Sequence, residues 1–499
     1  MRSAATHHCT TYALPAAWTD GVSHTPGSGG TAGSRRRSTI PPGRLVGDGL
    51  PVPCLDGEQR PYLNLDTAAS TNALPAVAER VREFLPWYSS VHRGAGYKSQ
   101  QATAAYEQAR AAALRFAGRR PDGDDVAVIC RNTTDAINHL AYRLRLQPED
   151  VVVTTVVEHH ANLLPWARVC RRRFVECGPD GTFDLQAVGD ALRGRPRPRL
   201  FAVTAASNVS GWLPPINDLI ATAHEHGVPV LVDAAQLAAH RALPPAADYL
   251  AWSGHKMYAP FGAGILIGPR ATFAAGEPFL VGGGAVDLVD LDEVVWTHPP
   301  EREEAGSPNV IGAVALHAAI DQLELTGWPA IAAHDDRLAR QLRGGLARID
   351  NVRLLGPEPD VDTLPLAAFT IDGVPHALVA ARLSAEHGIG VRHGCFCAHP
   401  YLVRLLGLTT AEIAAHRRAV RAGDRRNVPG AVRASARHQH PRRGHRPVLG
   451  GGLRHRRRPA QHRRVLAGLV HWRLLAPTGQ QARTEGCVMG LLGLEVPIM

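Results

Sequence analysis

From residue 124 onward the chain alternates short apolar runs with longer stretches of helical apolar spacing. The runs cover 126–129, 151–155, 200–204, 228–232 and 264–267. Between them, 134–146 and 215–226 repeat their apolar residues at helical intervals, the second stopping at Gly227. This alternation predicts an α/β fold, a largely parallel sheet covered by helices. Polar, glycine-containing segments follow several runs, and in open α/β sheets the strand ends are where ligands bind.

After Asn309 the pattern changes. Helical spacing over 310–325 and 328–349 precedes strand-like segments at 364–371 and 389–392, with a helix over 377–387 between them. The expected division is a large domain over 46–309 and a smaller α+β domain over 310–435. Residues 1–45 are rich in Ser, Thr, Gly, Pro and Arg without apolar periodicity, and read as a disordered extension.

Composition adjusts this picture at the ends. The 499 residues, 45% hydrophobic, allow a large core. The net charge of +10 would point to an anionic partner if it were spread over a folded surface, but it gathers at the termini. Residues 436–499 contain no Asp, and Arg, His and Pro crowd 436–464. Such a tail reads either as a polyanion-binding segment or as the product of a frame slip near Ser435. Dropping one base there can give Leu-Gly-Ile-Asn-Thr-Arg-Ala-Glu-Asp-Ile-Asp-Arg-Tyr-Ser, in which Thr-Arg-Ala-Glu is a capping box. The eight cysteines are too sparse for a staple framework, and neither a secretory signal nor a bilayer-length apolar run is present. The expectation is a cytoplasmic protein with reduced thiols, no membrane contact and no nucleic-acid partner.

Only two lysines occur, Lys98 and Lys256, in a chain with 55 Lys+Arg. Lys256 stands in Ser253-Gly254-His255-Lys256-Met257-Tyr258-Ala259-Pro260-Phe261-Gly262. Arginine supplies charge, whereas a desolvated lysine becomes a neutral amine able to form a Schiff base. The competing reading is a genome that writes Arg for Lys. Asp233 follows an apolar run in Val230-Leu231-Val232-Asp233-Ala234-Ala235-Gln236 and could keep a pyridine nitrogen protonated; it could equally cap a helix. Asn132-Thr133-Thr134-Asp135 opens a helix where a phosphate could sit, with Ser253 and His255 able to add contacts. Glu158-His159-His160-Ala161-Asn162 is not a metal pair, since adjacent histidines on a helix do not face one way, and no metal is expected. These residues suit pyridoxal phosphate, the electron sink that gives a lysine imine its use.

Together with Gly306-Ser307-Pro308-Asn309, these strings resemble the class V aminotransferase superfamily of fold type I pyridoxal-phosphate enzymes, closest to its cysteine desulfurase branch, over about 63–435. The resemblance implies a large domain with a mostly parallel seven-stranded sheet flanked by helices. It implies that Lys256 forms the Schiff base, that Asp233 pairs with the pyridine nitrogen and that Gln236 bonds the ring hydroxyl. His159 would stack on the ring, with Thr133, Thr134, Asn208, Ser253 and His255 around the cofactor. Ser307 would reach the phosphate of a neighbouring subunit, implying a homodimer.

On the substrate side, Arg392-His393-Gly394-Cys395-Phe396-Cys397-Ala398 is similar to the loop carrying the desulfurase nucleophile. Cys397 matches that nucleophile and Cys395 is extra. Arg433, in Ala431-Val432-Arg433-Ala434-Ser435, resembles the arginine that binds the substrate carboxylate. Arg392, Arg93 and Asn208 are the other implied substrate contacts. His92-Arg93-Gly94 continues as Ala95-Gly96-Tyr97-Lys98-Ser99, where this branch commonly has Ile-His-x-Leu-Ser, which makes Lys98 a candidate mouth residue and opens the substrate to question. The implied activity converts L-cysteine to L-alanine and an enzyme persulfide, for delivery to a sulfur-acceptor protein. The alternatives are another class V activity, such as transamination, C–S lysis or epimerisation, and an inactive homologue with a nucleic-acid-binding tail.

Overall fold

The computed structural model describes residues 45–437; the disordered extension expected over 1–45, apart from Leu45, and the basic tail, apart from Ala436 and Arg437, lie outside the described residues. Seven strands form the main sheet: β1 Asp125–Cys130, β2 Val151–Thr155, β3 Arg171–Val175, β4 Leu200–Thr204, β5 Val230–Asp233, β6 Tyr249–Ser253 and β7 Gly264–Pro269, in the spatial order β1-β7-β6-β5-β4-β2-β3. All pairings are parallel except those of β7, which runs against both β1 and β6. The expected seven-stranded, mostly parallel sheet is therefore present.

The apolar runs became the central strands because helices cover both faces. Every residue of β2, β4, β5 and β6 is buried, an environment that favours mainly apolar sequence. Two strands carried no clear run. β3, Arg-Arg-Arg-Phe-Val, is an edge strand whose arginines lie outside the core; β6, Tyr-Leu-Ala-Trp-Ser, mixes polar ends with the fully buried Trp252.

Helix boundaries follow local chemistry. Asn132 caps Thr133–Arg143 by accepting from Asp135 N at 3.0 Å. Ile216–Glu225 stops before Gly227, whose φ is +62°. Two long helices, Val310–Thr326 and Trp328–Leu346, lead to a four-stranded antiparallel sheet of Val352–Leu355, Leu366–Ile371, Ala431–Ser435 and Arg392–Gly394. The segment expected as one strand at 389–392 divides: Ile389–Gly390 pairs in parallel with Leu63–Asn64, while Arg392–Gly394 joins the larger sheet. The chain start thus threads past the small sheet before reaching the main one. Ser435 N donates to Leu65 O at 2.7 Å, and Thr67 bonds the carbonyl of Ser435. No helix among the described residues is long and apolar enough to cross a membrane.

Candidate active site

The C-terminal ends of the parallel strands and the small sheet enclose a cavity of about 240 Å3. Asp233 ends β5 fully enclosed, its Oδ1 accepting from Ala235 N at 2.9 Å. Burial raises its pKa, offset by that N–H and by the charge of Lys256. Such a carboxylate lacks a full counter-charge, and a protonated ring nitrogen would supply it.

Lys256 ends the short turn Gly254–Lys256 that follows β6. Burial lowers its pKa to about 8; Arg433 and Arg437 push the same way and Asp233 opposes them. An amine that loses its proton near neutrality is both nucleophile and base.

One end of the cavity is a ring of donors. Thr133, first residue of its helix, donates its backbone N–H to Ser253 Oγ at 2.7 Å, and the two hydroxyls lie 2.6 Å apart. With Thr134, they crowd hydrogen-bond donors at a helix N-terminus, where a phosphate is held best. Gly264 is required beside them: a Cβ there would come within 2.6 Å of Asn132 Cα.

His159 lies across the cavity, its ring fixed by Nδ1 accepting from Ala161 N at 3.0 Å. Burial first, then the Lys256 charge, lowers its pKa to about 3, so the imidazole is neutral and suited to stacking. His255, half-buried beside the lysine, is held at about 4 in the same way. Glu158 anchors the segment beneath, accepting from Thr155 Oγ1 at 2.8 Å, Asn162 Nδ2 at 2.8 Å and Thr204 N at 3.0 Å. Gln236 donates to Ala68 O at 2.8 Å, while its buried Oε1 has no partner.

On the small-domain side, buried Arg433 donates Nη1 to Asn208 O at 2.8 Å and Nη2 to Asp66 at 3.2 Å, with its guanidinium 5.2 Å from the Phe396 ring centre. Its Nε is unpartnered. Burial lowers its pKa to about 10, which leaves it cationic at neutral pH. Arg392 lies 3.5 Å from the same Asp66. Two guanidiniums share one carboxylate, so the site retains an unmatched positive charge for a substrate carboxylate.

The Cys397 loop closes the cavity. Ala398 N donates to Cys395 O at 3.0 Å, and Phe396 and Cys397 both have φ of +55°, unusual for residues with a Cβ. The turn is pinned by Asn208 Nδ2 donating to Phe396 O at 2.6 Å and His160 N to Cys397 O at 2.7 Å. Cys397 is exposed, whereas Cys395 packs partly into the core.

The expected residues Lys256, Asp233, Gln236, His159, Thr133, Thr134, Asn208, Ser253, His255, Arg392, Arg433 and Cys397 all line this one cavity. Ser307 and Arg93 do not. Ser307 sits exposed on the turn before Val310–Thr326, and Arg93 donates to Val286 O on an exposed loop. Lys98 is exposed in the first turn of Tyr97–Phe116. Sequence reading passed over Asp66 and the ring of Phe396, because nothing local to 63–68 marks a carboxylate that meets an arginine 367 residues away.

The donor ring, the unpartnered Gln236 Oε1, the enclosed amine and the carboxylate suit a planar aldehyde with a phosphate at one end and a ring nitrogen at the other, as in pyridoxal phosphate. Residues 63–435 match the family model for class V aminotransferases. A cysteine desulfurase of Dickeya dadantii is 38% identical over 358 residues, 69% of this chain and 85% of that protein. A probable cysteine desulfurase of Halobacterium salinarum is 35% identical over 356 residues, 69% of this chain and 84% of its own length. Among solved structures, the apo cysteine desulfurase of Thermococcus onnurineus superposes with a TM-score of 0.66 at 32% identity, over 75% of this chain and 90% of that one. A cysteine desulfurase of Escherichia coli, solved as an S-sulfonic acid, gives 0.64 at 32% identity, over 76% and 90%.

Proposed function

The chain belongs to the class V aminotransferase family, in its cysteine desulfurase branch, and from that premise we propose how its residues divide the work on L-cysteine. The single observation that carries the reading is the convergence of Lys256, Asp233, Arg433 and Cys397 on one cavity. Lys256, Asp233, Gln236, His159 and the Thr133–Ser253 cradle would hold pyridoxal phosphate, which would supply an electron sink at the substrate Cα.

Arg433 and Arg392 bind the substrate carboxylate, with Asn208 and Asp66 holding the guanidinium of Arg433 in place. Lys256, neutral when substrate is seated, takes the proton from Cα and returns one to complete alanine. His159 covers the reacting plane and Cys397 closes the mouth. Sγ of Cys397 takes the substrate sulfur: the S–S bond forms as the Cβ–S bond breaks, giving L-alanine and Cys397–S–SH.

Exposed Ser307 fits a contact across a homodimer to the neighbouring phosphate, and the sulfur leaves to an acceptor. A cytoplasmic location agrees with the free cysteines among the described residues. Purified protein loaded with cofactor and given L-cysteine should produce alanine and, by mass spectrometry, a persulfide on the Cys397 peptide. Cys397→Ser should retain cofactor absorbance and lose the persulfide and sulfide release; undiminished sulfide release in that variant would remove Cys397 from the chemistry.

A further inference from the structure

Cys397 lines two spaces. Besides the cavity that faces Lys256, it borders a second, outward groove of about 390 Å3 lined by Thr134, Asn138, His160, Leu164, Pro165 and Arg168. The nucleophile therefore stands in the partition between a space that loads it and a space that could unload it.

His160 of the groove wall is paired with His399, which sits behind it and does not itself line the groove. His160 and His399 stack with ring centres 5.2 Å apart and planes within 5°. His160 Nε2 accepts from His399 N at 3.2 Å, with His399 Nδ1 3.3 Å from the same atom. The backbone of His160 bonds the Cys397 carbonyl, so the pair is fixed to the reacting loop. Burial lowers both imidazoles, and His399 lowers His160 further, so both rings are neutral at rest. Arg168 is exposed on the groove wall and makes no ion pair among the described residues. Neither His399 nor Arg168 has a part in loading the cysteine.

We propose that this groove is a discharge site for a small thiol bearing a carboxylate, with Arg168 binding the carboxylate and the His160–His399 pair accepting the thiol proton. The proposal rests on Cys397 being the persulfide carrier. The thiol R–SH gives its proton to the imidazole pair, and R–S⁻ attacks the outer sulfur of Cys397–S–SH. A new S–S bond forms as the old one breaks, and its electron pair returns to Sγ, which is protonated by the imidazolium. The products are R–S–SH and Cys397–SH, so no oxidant is consumed.

The test separates discharge from loading by using full-length protein whose Cys397 carries a methylthio group from methyl methanethiosulfonate. Mass spectrometry follows loss of that group to mercaptoacetate or to cysteamine, each rate divided by that thiol's rate on free S-methylthiocysteine. Mercaptoacetate should be favoured over cysteamine by about tenfold, as expected for one charge-assisted contact. Arg168→Gln should abolish the preference, and His399→Asn should slow both thiols by at least about tenfold, with melting temperatures unchanged. Equal normalised rates for the two thiols, or an unchanged preference in Arg168→Gln, would overturn the site, as would discharge only to a protein acceptor. Because the disulfide is installed chemically, a failure of the cysteine reaction itself would appear separately, as a missing persulfide with L-cysteine.

Discussion

Lys256 and Arg433 show how burial tunes individual groups. With its pKa near 8, the amine of cofactor-free protein should react with a small aldehyde faster as pH rises through about 8, levelling above it. Borohydride trapping and peptide mapping would follow this directly, since Lys98 is the other lysine in the chain. A rate still climbing above pH 10 would mean an ordinary, solvated lysine. Arg433 works by shape as well as charge: Arg433→Lys keeps the cation but loses the planar fork between Asn208 O and Asp66. Its KM for L-cysteine should rise by about tenfold or more with cofactor absorbance intact, measurable by steady-state alanine release. Lys256, Asp233 and Gln236, which the fold brings to one cavity, could be picked out beforehand because each sits in a short string whose chemistry is local. Asp66 was not, since its meaning comes from two arginines that the fold brings to it.

Among elements, the proposed cofactor cradle depends on a close approach between β7 and the helix that begins at Thr133. Gly264 permits it, and Gly264→Ala should displace Asn132 and the Thr133 N–H. The expected result is a fall in cofactor retention on gel filtration, out of proportion to any loss of melting temperature. Helix Thr410–Arg421 provides a contrast. Its capping box joins Thr409 and Glu412, with Glu412 Oε2 accepting from Thr409 N at 2.7 Å. Thr409→Ala should cost about 1 kcal/mol in urea unfolding and leave alanine production unchanged, because this helix is remote from the cavity. Apolar periodicity revealed the central strands but not the edge strand Arg171–Val175, whose three arginines are exposed or part-buried. It also merged Ile389–Gly390 with Arg392–Gly394, since pairing partners are set by distant segments.

The molecule as a whole encloses several neutral histidines, and this sets its response to acid. Burial holds His240, which bonds Asp335 at 2.7 Å, at about 4, with His255 at about 4 and His159 at about 3. Unfolded, each would titrate near 6.5, so below that pH the unfolded chain binds protons that the folded chain refuses. Stability should therefore fall as pH drops from about 6.5 towards 4. Urea midpoints of cofactor-free protein should show this slope, and His240→Asn should flatten it; an identical slope in the variant would assign the effect elsewhere. By itself the sequence determined the α/β class, the large and small units of pattern, and the short strings that carry the lysine, aspartate and cysteine proposed for the chemistry, because periodicity and short motifs are properties of neighbouring residues. Tertiary structure alone decided that Arg433 is clamped by Asp66 and Asn208, that Phe396 and Cys397 form a strained turn, and that Cys397 divides two spaces. Each depends on contacts between residues far apart in the chain, such as Asn208 with Phe396 and Arg433 with Asp66, which exist only in the folded molecule.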